Sequence, residues 1–220
     1  MVQGSNPCGR TNMTTLLPTQ NWSDSQIMEA AMQIRIGYKL KRTIRYGSTR
    51  DPELHSESVA DHIFALIYLA QYFLPIEDPE QLLDEAKVYT MILYHDFGEI
   101  AHGDIPYHQK TKADQDREAE DAIQTFAKLP AHMQTRAKAL WQEYEDKQSP
   151  EARFVNALDK IEPSFELLDP VSSARLKEAK FTYDLHMTKK RIATEGFPIM
   201  RRFVEVIGDE LLKRDVFWKE

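Results

Sequence analysis

One stretch of the chain reads Val88-Tyr89-Thr90-Met91-Ile92-Leu93-Tyr94-His95-Asp96, an apolar run that ends in an imidazole and a carboxylate. Its apolar residues predict a helix that packs into a core. A core helix normally ends in a cap or a turn residue. This helix instead carries two groups that can bind a metal ion to the point where it leaves the core. We therefore expect further metal ligands elsewhere in the sequence.

The helical period recurs along most of the chain. It predicts a helix that starts near Val59 and is closed by Pro75, and a following helix whose N-cap is Asp78 with Pro79 in its first turn. Further amphipathic segments continue to about Arg214. The sequence shows no alternating strand pattern, no Gly-rich phosphate loop and no internal repeat. The predicted fold class is all-α, a single bundle of about eight helices.

Length and composition bound the class of protein. With 220 residues, 42% hydrophobic and 29% charged, the chain is expected to form one well-buried core, and we assign residues 25–220 to it. Residues 1–24 are polar and are predicted to be a flexible leader. No apolar run approaches the roughly 20 residues of a membrane span, so no membrane partner is expected. The single cysteine, Cys8, cannot form an intramolecular disulfide, and a cytoplasmic location is expected.

The charge of the chain argues against nucleic acid as a partner. The formal net charge is -7, and a surface that wraps a phosphate backbone is normally basic. Five basic residues nevertheless cluster between Lys39 and Arg50. They indicate either one local site for an anion or the solvated end of a helix.

Two other residues complete a set of metal ligands with His95 and Asp96. His62 lies on a predicted apolar helix, and Asp159 lies in an otherwise amphipathic one. Either residue alone is more often structural, as a core histidine or an ion-pair partner. Two imidazoles with two carboxylates suit one divalent transition metal, namely Mn²⁺, Fe²⁺, Co²⁺, Ni²⁺ or Zn²⁺, better than Ca²⁺ or Mg²⁺. Four protein ligands also leave a position open for water.

Four blocks of sequence, taken in order, carry a resemblance to a known family. They are Glu57-Ser58-Val59-Ala60-Asp61-His62, Tyr94-His95-Asp96-Phe97-Gly98-Glu99, His102-Gly103-Asp104-Ile105-Pro106 and Ala157-Leu158-Asp159-Lys160. The set resembles the H…HD…D signature of the HD-domain metal-dependent phosphohydrolases, and in particular the branch of bacterial 5'-deoxynucleotidases and their eukaryotic homologues. The resemblance implies that His62, His95, Asp96 and Asp159 hold one divalent metal, and that a metal-bound water releases phosphate from a nucleoside 5'-monophosphate.

The resemblance also implies roles for residues around the metal. Glu99 follows Asp96 by three positions, so a helical turn would return its carboxylate to the face that the ligands use. It would be a general base or would orient the attacking water. Asp104 would hold water or protonate the leaving oxygen. Arg45 would grip the phosphate, with Arg50 assisting. Tyr46 stands where the bacterial enzymes have a tryptophan near the sugar, which leaves selectivity for 2'-deoxyribose open.

Other functions stay open at this stage. A phosphodiesterase or a nucleotide di- or triphosphate hydrolase can use the same scaffold, and His102 and His108 are candidates for a second metal, although surface histidines are the simpler interpretation. A non-catalytic helical interaction module is the alternative outside enzymes. The family resemblance further implies a homodimer.

Overall fold

The computed structural model describes residues 29, 31–45, 57–105 and 109–219. Within these ranges turns and short loops connect helices, and the β-pairing is an isolated antiparallel bridge between Ile44 and Ser58, so the all-α prediction is confirmed. The leader (residues 1–24) lies outside the described residues. Residues 31–34 are α-helical and are followed by a 3-10 helix, Gly37–Arg42. The α-helices after it are α1 Val59–Glu77, α2 Glu85–Tyr94, α3 Glu99–His102, α4 Lys112–Phe126, α5 Ala131–Asp146, α6 Pro150–Glu166, α7 Pro170–Ser173, α8 Tyr183–Ala193 and α9 Pro198–Lys213.

Helix α6 lies at the centre of the bundle and packs against α1, α2, α5, α8 and α9. Its start is set by sequence: the hydroxyl of Ser149 accepts a hydrogen bond from the Ala152 backbone N–H, and Pro150 occupies the first turn. Phe154, Leu158 and Ile161 on this helix are fully buried. Because α6 is covered on several sides, a polar group on it, such as Asp159, is held in the interior.

The predicted boundary between the first two long helices was wrong by several residues. Pro75 does not close α1, which runs two residues further to Glu77 with the proline in its last turn. Asp78 does not cap α2, because its carboxylate accepts hydrogen bonds from the backbone of Leu82 and Leu83 instead. Asp84 caps α2 by accepting from the Lys87 backbone N–H. A proline removes one helical hydrogen bond and crowds the carbonyl four residues earlier, and it is tolerated here because only two helical residues follow it.

A smaller apolar cluster extends the core at its C-terminal side. It is formed by the segment after α6 and by α9 and the residues that follow it, namely Leu167, Leu176, Phe181, Ile207, Leu211 and Phe217. The Trp218 N–H donates to the carbonyl of Phe181 at 3.0 Å, which ties the last described residues to the segment before α8. This cluster holds α8 against the end of α6.

Helix α1 is more apolar than the sequence interpretation allowed. It has 19 residues and a window of mean hydropathy 1.4, so length and composition alone are sufficient for a membrane span. One face packs against α2, α6 and α9 and buries Leu66 and Phe73 completely. The other face leaves Phe64 and Tyr68 exposed. Core helices of soluble proteins meet the same criterion, and the buried face of α1 carries His62 into the polar site described below.

Candidate metal centre

His95 and Asp96 follow the last residue of α2, where the chain turns away from the core. The His95 backbone N–H donates to the carbonyl of Met91 at 3.0 Å, which continues the helical pattern for one residue. Its ring Nδ1–H donates to the carbonyl of Ile92 at 2.8 Å. A bond of this kind fixes the tautomer and leaves the Nε2 lone pair available for a metal. The His95 side chain is fully buried.

His62 is placed by the first turn of α1. Ser58 caps this helix through a capping box with Asp61, so His62 enters the core within one turn of the N-terminus. The His62 Nδ1–H donates to Glu162 Oε2 on α6 at 3.1 Å. Its Nε2 faces Asp159 Oδ1 at 3.3 Å and Asp96 Oδ2 at 3.8 Å.

The four residues that the sequence singled out as ligands converge. The rings of His62 and His95 lie 5.5 Å apart, and His95 Nε2 lies 3.1 Å from Asp96 Oδ2. Both Nε2 atoms are buried, yet neither has a hydrogen-bond partner. The short contacts to the carboxylates therefore lack hydrogen-bond geometry, and the nitrogens and carboxylate oxygens point into a common space. A divalent transition metal fits these donors, because it satisfies two orphaned imidazole nitrogens and two carboxylates together.

The electrostatics of the cluster are those of a cation site. Burial and the Arg45 charge lower the pKa of His62, but Glu162 and Asp159 outweigh them and raise it to about 9. The pKa of Asp96 is lowered despite its burial, mainly by His95. Burial likewise opposes the charge of Asp159, but Lys160 and the histidines hold its pKa well below the usual range. The carboxylates thus stay ionised, and a metal has to displace the proton that they hold on His62.

Three residues around the ligands were not predicted to have a role. Glu162 orients His62, as described above. The Tyr144 hydroxyl donates to Asp159 Oδ2 at 2.9 Å, and the Lys160 ammonium donates to the same oxygen. Glu162 follows Asp159 by three positions on α6, and that spacing was a signal available in the sequence. Tyr144 had no such signal, because its periodic spacing on α5 is equally typical of a core aromatic residue.

Glu99 lies where a continued helical turn would put it. Residues 95–98 form turns in which the Glu99 N–H donates to the carbonyl of Asp96 at 3.1 Å, and the buried Glu99 side chain lines the same cavity as Asp96. Burial, followed by the charges of Asp96 and Asp104, raises the pKa of Glu99 well above the usual value. Gly98 makes this turn feasible, because a Cβ there would lie 2.9 Å from Glu118 Cγ and 3.0 Å from the Glu118 carbonyl oxygen on α4.

Asp104 lines the same cavity, two residues beyond the end of α3. Gly103 closes that helix with a φ of 81° and donates its N–H to the carbonyl of Glu99 at 2.7 Å. An L side chain rarely adopts that φ, so the glycine allows the chain to reverse and present Asp104 beside Glu99.

Arg45 is positioned at the site by the isolated β-bridge between Ile44 and Ser58. The Arg45 N–H donates to the carbonyl of Glu57 at 2.8 Å, and the Val59 N–H donates to the carbonyl of Thr43 at 2.9 Å. This pairing sets Arg45 beside the start of α1, where Nη1 donates to Asp96 Oδ2 at 3.2 Å. The structure therefore brings the predicted phosphate-binding arginine to a predicted ligand. Tyr46, Arg50 and His108 lie outside the described residues, as does the side chain of His102.

A cavity of about 500 Å³ opens onto this cluster. Arg45, Asp96, Glu99 and Asp104 line one part of its wall, and residues of α8 line another. Small-molecule sites commonly have about 300–1,000 Å³. The cavity is thus large enough for a ligand of nucleotide size next to the four candidate ligands.

Comparison with known proteins gives a family model and several relatives. A family model described as HD domain matches residues 38–200. The chain is 32% identical over 131 residues to the 5'-deoxynucleotidase HDDC2 of Homo sapiens, which is 59% of this chain and 62% of the human protein. It is 26% identical over 188 residues to the 5'-deoxynucleotidase hdd1 of Schizosaccharomyces pombe, which is 82% of this chain and 87% of the yeast protein. The match thus spans slightly less than two thirds of the human relative.

Solved structures share the fold. A crystal structure from Magnetospirillum magnetotacticum, described as a predicted metal-dependent phosphohydrolase, has a TM-score of 0.74 at 24% identity and covers 89% of this chain and 100% of its own. The PH0347 protein of Pyrococcus horikoshii has a TM-score of 0.61 at 22% identity and covers 80% of this chain and 99% of its own. At these identities the likeness supports the helical fold alone.

Proposed function

Because the chain belongs to the HD-domain family, we propose that it is a metal-dependent phosphohydrolase that releases inorganic phosphate from nucleoside 5'-monophosphates. One observation carries the proposal. Two buried histidine Nε2 atoms without hydrogen-bond partners face two carboxylates in the wall of a cavity that also holds Arg45 and Glu99. The relatives named 5'-deoxynucleotidase support a nucleotide as the substrate.

The metal is proposed to be one of Mn²⁺, Fe²⁺, Co²⁺, Ni²⁺ or Zn²⁺, held by His62, His95, Asp96 and Asp159. When bound, it supplies Lewis acidity and lowers the pKa of a coordinated water toward about 7. Glu162 accepts the proton on Nδ1 of His62, and the Ile92 carbonyl accepts that of His95, so Nε2 is the ligating atom of both rings once the metal has displaced the second proton of His62. Tyr144 and Lys160 hold Asp159 in place and leave its other oxygen facing His62.

The remaining residues of the cavity handle the phosphate and the protons. Arg45 lies beside Asp96 and presents a guanidinium to a phosphate bound at the metal. The raised pKa of Glu99 brings this carboxyl group toward the range in which it exchanges protons at neutral pH, as a base for the attacking water requires. Asp104 would donate a proton to the departing 5'-oxygen. The products are a nucleoside and inorganic phosphate.

The proposal is tested by phosphate release from purified protein loaded with each candidate metal in turn. A panel of nucleoside and 2'-deoxynucleoside 5'-monophosphates should yield inorganic phosphate, and the paired ribo- and deoxyribonucleotides measure the sugar preference that Tyr46 leaves open. If no member of the panel is hydrolysed with any metal, the substrate assignment fails. Release of pyrophosphate from nucleoside triphosphates instead would assign the chain to the triphosphate hydrolases.

We also propose a cytoplasmic homodimer. The proposal rests on the family resemblance and the composition of the chain. Sedimentation of the purified protein measures the oligomeric state directly, and a monomer at micromolar concentration would contradict it.

A further inference from the structure

The cavity extends from the metal centre to one face of α8. His186 and Lys190, four positions apart on this helix, both line it, together with the more exposed Lys189. Lys190 is only 4% exposed. Lysine is rarely buried to this extent unless its charge is compensated.

The charge of Lys190 is not compensated by a direct partner. Within the described parts of the chain its ammonium makes no hydrogen bond or ion pair. Glu162 and Asp159 act on it through space, but both are already engaged, Glu162 with His62 and Asp159 with Lys160. Burial and the like charge of Lys160 lower the pKa of Lys190 to about 7. The side chain is thus a buried cation without an anion.

His186 adds an unused polar atom to the same face. Its Nε2 lies 3.3 Å from the hydroxyl oxygen of Ser164, whereas its Nδ1 is buried without a partner. Burial and the Lys190 charge keep the pKa of His186 well below the usual value, so the ring is neutral. If the Ser164 hydroxyl donates to Nε2, the proton is on Nδ1, and this N–H is a free donor. An anion can accept from it.

The basic residues of the site are associated with two different candidate ligands. Arg45 pairs with Asp96, which follows α2. Lys160 pairs with Asp159 on α6, and its charge acts on Lys189 and Lys190 of α8 and lowers their pKa values. The site therefore has cationic groups beside two different ligands, in a cavity of nucleotide size. We call His186, Lys189, Lys190 and Lys160 the α8 subsite.

We propose that the α8 subsite binds a second phosphate group of the substrate, so that the enzyme prefers a nucleoside 3',5'-bisphosphate to a nucleoside 5'-monophosphate. This inference rests on the proposed function, because the first phosphate has to lie at the metal. A phosphate carries about two negative charges at neutral pH and three acceptor oxygens. It supplies the anion that Lys190 lacks and an acceptor for the unused donor of His186.

The first test compares kcat/KM for a nucleoside 3',5'-bisphosphate and the matching 5'-monophosphate. We expect the wild-type protein to favour the bisphosphate by about tenfold or more, which is the effect expected of one hydrogen bond to a charged group. Lys190→Met should bring the ratio close to one, and Lys189→Met should reduce it less. Lys213→Met, at an exposed lysine of α9, is the matched control and should leave the ratio unchanged. Equal kcat/KM values in the wild-type protein overturn the inference.

The second test measures binding with little turnover. In metal-loaded Glu99→Gln protein, which is expected to turn over slowly, the bisphosphate should raise the melting temperature more than the monophosphate, and adding Lys190→Met should abolish the difference. Monophosphate plus an equimolar amount of inorganic phosphate should not reproduce the effect. If it does, the subsite takes free phosphate, and the inference about the substrate is wrong.

The two proposals fail in different ways. Absence of phosphate release from either nucleotide defeats the proposed function, whereas release at equal rates defeats only the second subsite. A structural role for Lys190, as counter-charge to Asp159 and Glu162, predicts that Lys190→Met lowers the melting temperature. The inference predicts an unchanged or higher value, because a buried uncompensated charge is removed.

Discussion

The Nδ1 atom of His62 lies 3.1 Å from Oε2 of Glu162, which follows Asp159 by one turn of α6. One helix thus supplies both a candidate ligand and the group that orients another ligand on α1. Glu162 is 2% exposed, so the pairing is shielded from water. A carboxylate behind a ligating imidazole fixes the ring and raises its basicity.

Glu162→Leu should weaken metal binding by about 10- to 100-fold, because His62 loses the acceptor that fixes its tautomer. Glu162→Gln keeps a hydrogen-bond acceptor without the negative charge, so its loss of metal affinity should be smaller. Competition with a chelator measures both affinities. Glu120→Gln, at an exposed position of α4, is the control. An unchanged affinity in Glu162→Leu would show that the contact does not support the metal.

Asp96→Ala should abolish metal retention and phosphate release together. Asp96 lies within 4 Å of His62 and His95 and also pairs with Arg45, so its loss removes a ligand and leaves a buried guanidinium without this partner. Metal content after gel filtration is the measurement. Asp116→Asn, an exposed acid at the edge of the same cavity, should keep its metal. Full metal content in Asp96→Ala removes Asp96 from the ligand set.

Glu99→Gln should retain the metal and lower kcat by about 10²- to 10⁴-fold, the usual contribution of a general base. Asp104→Asn should also lower kcat, and more for substrates with a poor leaving group, since its proposed role is to protonate the leaving oxygen. Steady-state kinetics with phenyl phosphates of graded leaving-group pKa separate these roles. Loss of metal from Glu99→Gln would instead make Glu99 a ligand.

Lys190→Met should change how stability depends on pH. The pKa of Lys190 is about 7 in the folded protein, against 10.5 for an unperturbed lysine, so between these values the unfolded chain binds a proton that the folded chain does not. The free energy of unfolding of the wild-type protein therefore rises with pH across this window. The variant lacks that increase. The free energy of unfolding of Lys190→Met should therefore exceed that of the wild-type protein most below pH 7, on the order of a few kcal/mol, and the difference should shrink toward pH 10. Urea unfolding at several pH values measures both free energies. If they changed in parallel with pH, the expectation would be contradicted.

Gly98→Ala should destabilise the protein by about 1–3 kcal/mol, because the added Cβ meets backbone as well as side-chain atoms of α4. The turn that carries Glu99 would shift, so kcat should fall as well. Gly37→Ala is the control, since its Cβ would make only an ordinary contact, 3.5 Å from the Phe97 ring. Chemical unfolding gives the difference, and equal effects at the two glycines would contradict the steric argument.

The local sequence was sufficient to predict the helical class of the fold. The period of apolar residues predicted the helical class, because a helix that buries one face needs that spacing whatever it packs against. It predicted helix ends less well. Asp78 has the sequence of an N-cap, but the structure uses its carboxylate in a turn and caps α2 with Asp84. The choice between two such acids depends on where α2 must lie against α5 and α6, which local sequence does not record.

The sequence by itself determined which residues could bind a metal, since His62, His95, Asp96 and Asp159 are chemically competent and lie in a recognisable order. Only the tertiary structure decided that they meet, because α1, α2 and α6 are brought together by burial of apolar faces far apart in sequence. It also decided the surroundings: Glu162 behind His62, Tyr144 on Asp159, and Lys190 buried without an anion. Those relationships depend on distance and solvent exclusion between helices, and a one-dimensional pattern contains neither.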